Sequence, residues 1–431
     1  MSRHYRIVLH IGTEKTGSTA LQGALYRHRM LLQSHGLAYW HSPGRQEARG
    51  LASAALDDQA GDDYLEQLGC MDTASREAFR QRELADLQSM LEGLPPSVHT
   101  VLISSEHFHS RLRQPGQLQW LKQILAPFSQ QIEVVVYLRR QVDLVASFYS
   151  THLKNGGSQK LENVARSTCH PRNHYYNYHM VLDLWSRVFG EEALRVRLFD
   201  ASFLEGRTIQ EDFLSLVQCP EVAIHAMSAP ERHNESLIPA GQVMLRALNM
   251  QVAGLSQDEV QEHDCLEALR HDLIREYRGS GLQLKAADAN SLQTHFEASN
   301  EWVRQRWFSD RARLFDPVEE AYGQGRGPLQ DMTSAQLTLA EAVVAALAKR
   351  VEEGQPLTDL DPCANWFRDL AVQRETSAPN TALRLMTLAH RIRPRGPFIA
   401  RKLEFYRERM PAQPSSGMNA LWRHLRDLLR S

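Results

Sequence analysis

Long apolar runs are scarce in this 431-residue chain, and none could span a bilayer. The most apolar helical stretch, 337–348, is short and carries Glu341. The N-terminus shows no apolar leader and enters a strand pattern almost at once. Cysteine is sparse too: Cys70, Cys169, Cys219, Cys265 and Cys363 are odd in number, far apart and free of any C-x-x-C pair. That excludes a disulfide framework and a cysteine zinc site, and it points to a reducing compartment. Nor is there an excess of positive charge. A net charge of −2 excludes the strongly basic footprint of a general nucleic-acid binder. The expectation is a soluble, cytoplasmic protein with no transmembrane segment and no nucleic-acid partner. Its length predicts two or three domains.

What is present is concentrated in residues 6–25, RIVLHIGTEKTGSTALQGAL. The run 6–11 is β-branched and apolar and reads as a buried strand, while 18–25 has helical spacing with Leu21 and Leu25 one turn apart. Between them, Gly12 to Gly17 form a glycine-bounded turn. A strand, such a loop and then a helix aim backbone N–H groups and a helix N-terminus at an anion such as phosphate. Gly12 and Gly17 have the spacing of the nucleotide-binding pattern G-x-x-x-x-G-K-[ST], but Ser18 stands where its lysine belongs. The cation has moved into the loop as Lys15, among the hydroxyls of Thr13, Thr16, Ser18 and Thr19.

A second cluster follows the run 133–138, which reads as another buried strand. Arg139 stands at its carboxyl end, and Ser147 falls about two turns into the next helix. A planar guanidinium beside a hydroxyl is good phosphate chemistry. A third strand pattern, 100–104, runs straight into Ser105-Glu106-His107. Polar residues after a buried strand of an α/β sheet lie at its carboxyl edge, where ligands bind.

The loop with Lys15 resembles the 5′-phosphosulfate-binding loop of the PAPS-dependent sulfotransferase family (PAPS being 3′-phosphoadenosine 5′-phosphosulfate). Glu14 replaces the proline usual there. The Arg139…Ser147 segment is similar to the family's 3′-phosphate-binding segment, with Gln141 in place of a frequent proline. The bacterial, carbohydrate-type members are the nearest pattern, over roughly residues 5–316. The resemblance implies that Thr13, Lys15, Thr16, Gly17, Ser18, Thr19, Arg139 and Ser147 bind the nucleotide, and that Lys15 stabilises the leaving phosphate. Sulfuryl transfer also needs a base for the acceptor's proton. Glu106 is the first choice, since carbohydrate-modifying members frequently use glutamate, and His107 the second. The implied donor is PAPS with no metal, and the implied acceptor is a hydroxyl or amine on a carbohydrate or glycolipid.

Two other readings stay open: a P-loop kinase or NTPase using ATP with magnesium, and a non-catalytic nucleotide-binding protein that acts through partners. His170 and His174 are spaced i, i+4, but Pro171 disfavours a helix there and no acidic ligand stands nearby in sequence. The aromatic and His-rich stretch 169–179 lends rings to an acceptor pocket or begins the helix through Trp185; the second is favoured for most of its residues. Arg304 and Arg306 fit either ligand contact or a surface helix.

Strands alternating with helices predict an α/β fold with a P-loop-like central parallel sheet flanked by helices. Residues 33–56 read as irregular loop. Helices are expected at 74–91, 117–125, 208–217, 239–250 (capped by Asn234 or Ser236), 260–277, 337–352 and 365–374. The run 323–328, Gly-Gln-Gly-Arg-Gly-Pro, marks a linker. The expected domains are 1–325, sulfotransferase-like, and 326–431, an all-helical C-terminal appendage. In the latter, 381–391 and 397–407 resemble one tetratricopeptide-like hairpin, too few for a solenoid. Residues 421–429 read as a basic amphipathic helix, more often a partner or surface helix than a membrane anchor, and suited to a protein partner or self-association.

Overall fold

A computed structural model describes residues 4–204, 207–227, 236–256, 259–318, 332–352 and 357–409. Residues 234 and 235, the 323–328 linker, the division at 325 and the 421–429 helix lie outside them. By contact the chain divides into two compact units. One comprises 1–144, 166–233 and 289–318; the other comprises 145–165, 234–288 and 319–431.

The first unit is built on five strands: β1 (Tyr5–His10), β2 (Leu37–Trp40), β3 (Thr100–Ser104), β4 (Ser129–Leu138) and β5 (Leu194–Leu198). Their order is β2-β3-β1-β4-β5, and every neighbouring pair is parallel. β1 is central, with Leu9 opposite both Ile103 of β3 and Val134 of β4. Strand periodicity sends alternate residues to opposite faces. Ile7 and Leu9 join Val101, Ile103, Val134 and Trp185 in one core layer. Val8 joins Leu102, Val135, Leu21, Leu25 and Phe213 in the other. Both faces are covered, which is why β1, β3 and the second half of β4 are nearly continuous apolar runs, whereas the edge strand β5 alternates apolar residues with Arg195 and Arg197.

The helices that matter for the site are α1 (Ser18–Arg27), α2 (His107–Arg111), α3 (Gln141–Lys154) and α4 (Tyr178–Phe189). The expectation of irregular structure over 33–56 is corrected: β2 is an edge strand of the sheet, and Arg49–Ala54 is a helix. A four-residue strand is too short to show a period, and its identity comes from pairing with β3. Arg49 is buried against Asp62 and Ser53, each at 2.9 Å, so part of the acidic 57–63 stretch anchors this segment.

The second unit is helical where described. It includes α5 (Pro239–Ala253), α6 (Asp361–Gln373), α7 (Pro379–Ile392) and α8 (Pro397–Arg409). Pro379 and Pro397 open their helices, where the missing N–H costs nothing. α7 buries Leu385, Met386, Ala389 and Ile392, and α8 buries Ile399, Leu403 and Tyr406. No described helix is long and apolar enough to cross a membrane.

Candidate functional site

Because β3, β1 and β4 are adjacent and parallel, their carboxyl ends bring Glu106, the 12–17 loop and Arg139 to one edge of the sheet. The loop turns through left-handed backbone at Gly12 (φ 100°), Lys15 (φ 65°) and Gly17 (φ 83°). Glycine at 12 also answers to space: a Cβ there would stand 3.1 Å from the Cα of Glu106. The loop is stitched to β4. The Tyr137 amide donates to the Gly12 carbonyl at 2.7 Å, and the Thr13 amide and hydroxyl both donate to the Tyr137 carbonyl. The Thr16 hydroxyl donates to the Thr13 carbonyl at 2.6 Å. Thr13 and Thr16 are thus buried braces of the loop. Ser18 is buried as well, Lys15 is half-buried and Thr19 is exposed. Gly17 supplies no side-chain cap to α1, which leaves the first-turn N–H groups to an anion.

Arg139 donates from Nη1 to the Lys15 carbonyl at 2.7 Å, and its guanidinium carbon lies 5.6 Å from the centre of the Phe199 ring. The Tyr178 hydroxyl holds the Arg139 carbonyl from the start of α4. The two motifs, more than a hundred residues apart in sequence, therefore meet. Ser147 is half-buried on α3 and belongs to the part of that helix in the second unit.

Glu106 accepts a hydrogen bond from Gln22 Nε2 at 2.6 Å, and the same amide reaches Ser104 Oγ at 3.3 Å. Ser104 Oγ in turn lies 2.7 Å from His10 Nδ1. Burial raises the Glu106 carboxyl above its usual range, opposed by hydrogen bonds from Gln22 and Ser18, while Glu14 adds to the rise. A second carboxylate, overlooked by sequence reasoning, stands beside it. Glu47 accepts from the Ser105 hydroxyl at 2.7 Å. Burial first, and then the charge of Glu106, pushes it up to about 7. Glu47 lies in the loop between β2 and the Arg49–Ala54 helix, a segment expected to be irregular, so no local signal marked it.

His107 has different neighbours. Burial, then Arg49 and Arg111, lower it to about 3. The 169–179 stretch reaches the loop through Tyr175, whose hydroxyl donates to Glu14 at 3.1 Å and whose ring packs 5.0 Å from that of His109. Tyr178 opens α4, and Tyr176 is buried. Arg304 pairs with Glu301 at 2.7 Å and donates to the Arg311 carbonyl at 2.8 Å, and Arg306 stacks 4.0 Å over Trp302 and lies 3.7 Å from Glu191, so both are engaged within the fold. Among the described residues, no group of three or more His, Cys, Asp or Glu side chains is placed to hold a metal ion.

A groove of about 660 Å³ opens in the same unit, lined by Gln293, Asn300, Arg313, Phe315 and Asp316 among others. It neighbours Arg140 and Gln141. Arg140 donates to the carbonyls of Asp316 and Pro317 at 3.0 Å, and Gln141 donates to Asn300 at 2.8 Å.

No family model matches this chain, and no curated protein does. Two solved structures to which it is similar are sulfotransferases. One is a sulfotransferase from Alicyclobacillus acidocaldarius, 16% identical, with a TM-score of 0.34 over 63% of this chain and 97% of that one. The other is the sulfotransferase domain from the curacin biosynthetic pathway, 14% identical, with a TM-score of 0.32 over 54% of this chain and 80% of that one.

Proposed function

We propose that the chain is a sulfotransferase that moves a sulfuryl group from PAPS to a hydroxyl or amine, on a carbohydrate-like acceptor. The observation that carries this reading is the tie between Arg139 and the Lys15 carbonyl. It joins a phosphate loop whose cation is displaced into the turn to a guanidinium suited to a second phosphate. An ATP-hydrolysing loop keeps its lysine after the second glycine, and here that place is Ser18.

In the proposed reaction the acceptor oxygen or nitrogen attacks sulfur in line. A new bond to sulfur forms as the bond between sulfur and the bridging oxygen breaks, and the electron pair stays on the 5′-phosphate. Lys15 and the N–H groups of the loop and of the α1 terminus offset that growing charge. Thr16, Ser18 and Thr19 line the same turn, with Thr13 bracing it. Arg139, with Ser147, takes the 3′-phosphate. Glu106 accepts the acceptor's proton. It is preferred to His107 because it shares its surroundings with the loop, and because a base held near 3 is weak at neutral pH. Glu47 supports Glu106 through Ser105 and its own charge. Tyr175 and its neighbours offer the acceptor aromatic faces. No metal is required by any step. A cytoplasmic location fits the five free cysteines.

Calorimetry tests the donor. The by-product 3′-phosphoadenosine 5′-phosphate should bind without magnesium, and Arg139→Ala should weaken it. Preference for ATP with magnesium would replace this reading with a kinase. Binding of neither nucleotide would leave a partner-binding protein.

A further inference from the structure

Positive charge is unevenly distributed along the chain. Residues 379–409, which form α7 and α8, hold eight Lys and Arg against two Glu, in a chain whose net charge is −2. On α8 the charge is also ordered by face. Ile399, Leu403 and Tyr406 point into the unit and are buried. Phe398, Arg401, Lys402, Phe405 and Arg409 fall together within about 100° of arc on one flank, at 3.6 residues per turn. Glu404 and Glu408 border this stripe on one side, Glu408 about 20° from Arg401, and Arg407 lies apart from it. Phe398 is 44% exposed, Arg401 and Arg409 are exposed, and Phe405 is half-buried.

The stripe is braced from within. The Arg409 guanidinium lies 4.3 Å from the centre of the Phe405 ring, and Lys402 Nζ lies 5.0 Å from it. Lys402 is also paired with Glu375 at 2.7 Å, and Arg401 Nε reaches the Pro397 carbonyl at 3.2 Å. Arg391 and Arg395 add exposed positive charge where α7 turns into α8.

We propose that this flank of α8 docks the protein on an anionic lipid surface. A stripe on the outside of a helix, about 16 Å long, offers a flat contact. Phe side chains suit the headgroup boundary, and arginines suit lipid phosphates. Basic and apolar residues continue in the sequence beyond: Leu421, Trp422, Leu425, Leu428 and Leu429 stand among Arg423, Arg426 and Arg430, against the single acid Asp427. Such a contact would hold the enzyme at a membrane without spanning it. It is independent of the reaction proposed above.

Co-sedimentation of the full chain with lipid vesicles tests this directly. The protein should pellet with phosphatidylcholine vesicles containing about a third phosphatidylglycerol, little with phosphatidylcholine alone, and less as salt rises. Arg401→Gln with Arg409→Gln should lower partitioning roughly 30-fold. Arg401→Lys with Arg409→Lys should keep most of it, which separates loss of charge from loss of fold. Phe398→Ser should weaken binding, and Arg82→Gln, an exposed arginine of the other unit, should leave it unchanged. Equal binding to neutral vesicles, or no binding to anionic ones, would overturn the proposal. So would a Gln pair that binds like wild type, or capture by dextran sulfate through these arginines without any vesicle binding.

Discussion

Arg139 Nη1 donates to the carbonyl of Lys15 at 2.7 Å, so the guanidinium at the end of β4 is fastened to the turn that follows β1. A single side chain couples the two anion-binding segments. It also holds the Lys15 backbone, which sits at φ 65° without being glycine. A charged donor on a partly buried carbonyl contributes about 1.5–3 kcal/mol.

Arg139→Ala should therefore weaken 3′-phosphoadenosine 5′-phosphate by roughly 10- to 100-fold. Arg139→Lys should restore little, because an ammonium cannot present two N–H groups in a plane. Calorimetry on the three proteins would check both outcomes.

Lys15→Ala should act on rate more than on affinity. Loss of one group that offsets leaving-group charge lowers turnover by about 10²–10³. The affinity for the by-product should fall by less. Steady-state turnover set beside a binding isotherm separates the two, and normal turnover in the variant would remove the leaving-group role.

The carboxylates predict a pH dependence. Glu47 is raised from 4.5 to about 7, so between those values the folded chain binds the proton that the unfolded chain has released. Its contribution to stability is full below 4.5 and is lost as pH rises through 7. Glu47→Gln should flatten that slope and stabilise the protein at pH 8, by up to about 3 kcal/mol. Denaturant titrations across the pH range would read it. Activity should instead rise with pH as the Glu106 and Glu47 pair ionises, and Glu106→Gln should abolish that rise along with most of the turnover.

Gly12→Ala should damage both fold and site. The new Cβ would meet Glu106 backbone at 3.1 Å and force φ 100° on an L-residue. A cost of about 1–2 kcal/mol is expected, with donor binding weakened in parallel. A lowered thermal midpoint rescued by the donor by-product would be the signature.

Tyr175→Phe removes only the hydroxyl that Glu14 accepts from. It should leave donor affinity near wild type and change the KM of the acceptor, read by saturation kinetics with the donor held constant.

Most of the sheet was legible along the chain. β1, β3 and the buried end of β4 are runs rich in Val, Ile and Leu and long enough to show themselves, and glycine at 12 and 17 announces the turn. Those signals are local, because steric limits on φ and the burial of apolar side chains act residue by residue. β2 carried too few residues to be seen, and its place as an edge strand exists only through its bonds to β3. The same holds for the site. Lys15, Arg139 and Glu106 could each be named from their positions after strands. Their meeting depends on the strand order β2-β3-β1-β4-β5, which no single segment encodes. Glu47 is the clearest case: an ordinary glutamate in a polar stretch becomes a carboxyl near 7 only when folding buries it beside Ser105 and within reach of the charge of Glu106. Desolvation and charge–charge coupling are set by distance in space, and the tertiary structure alone supplies that distance.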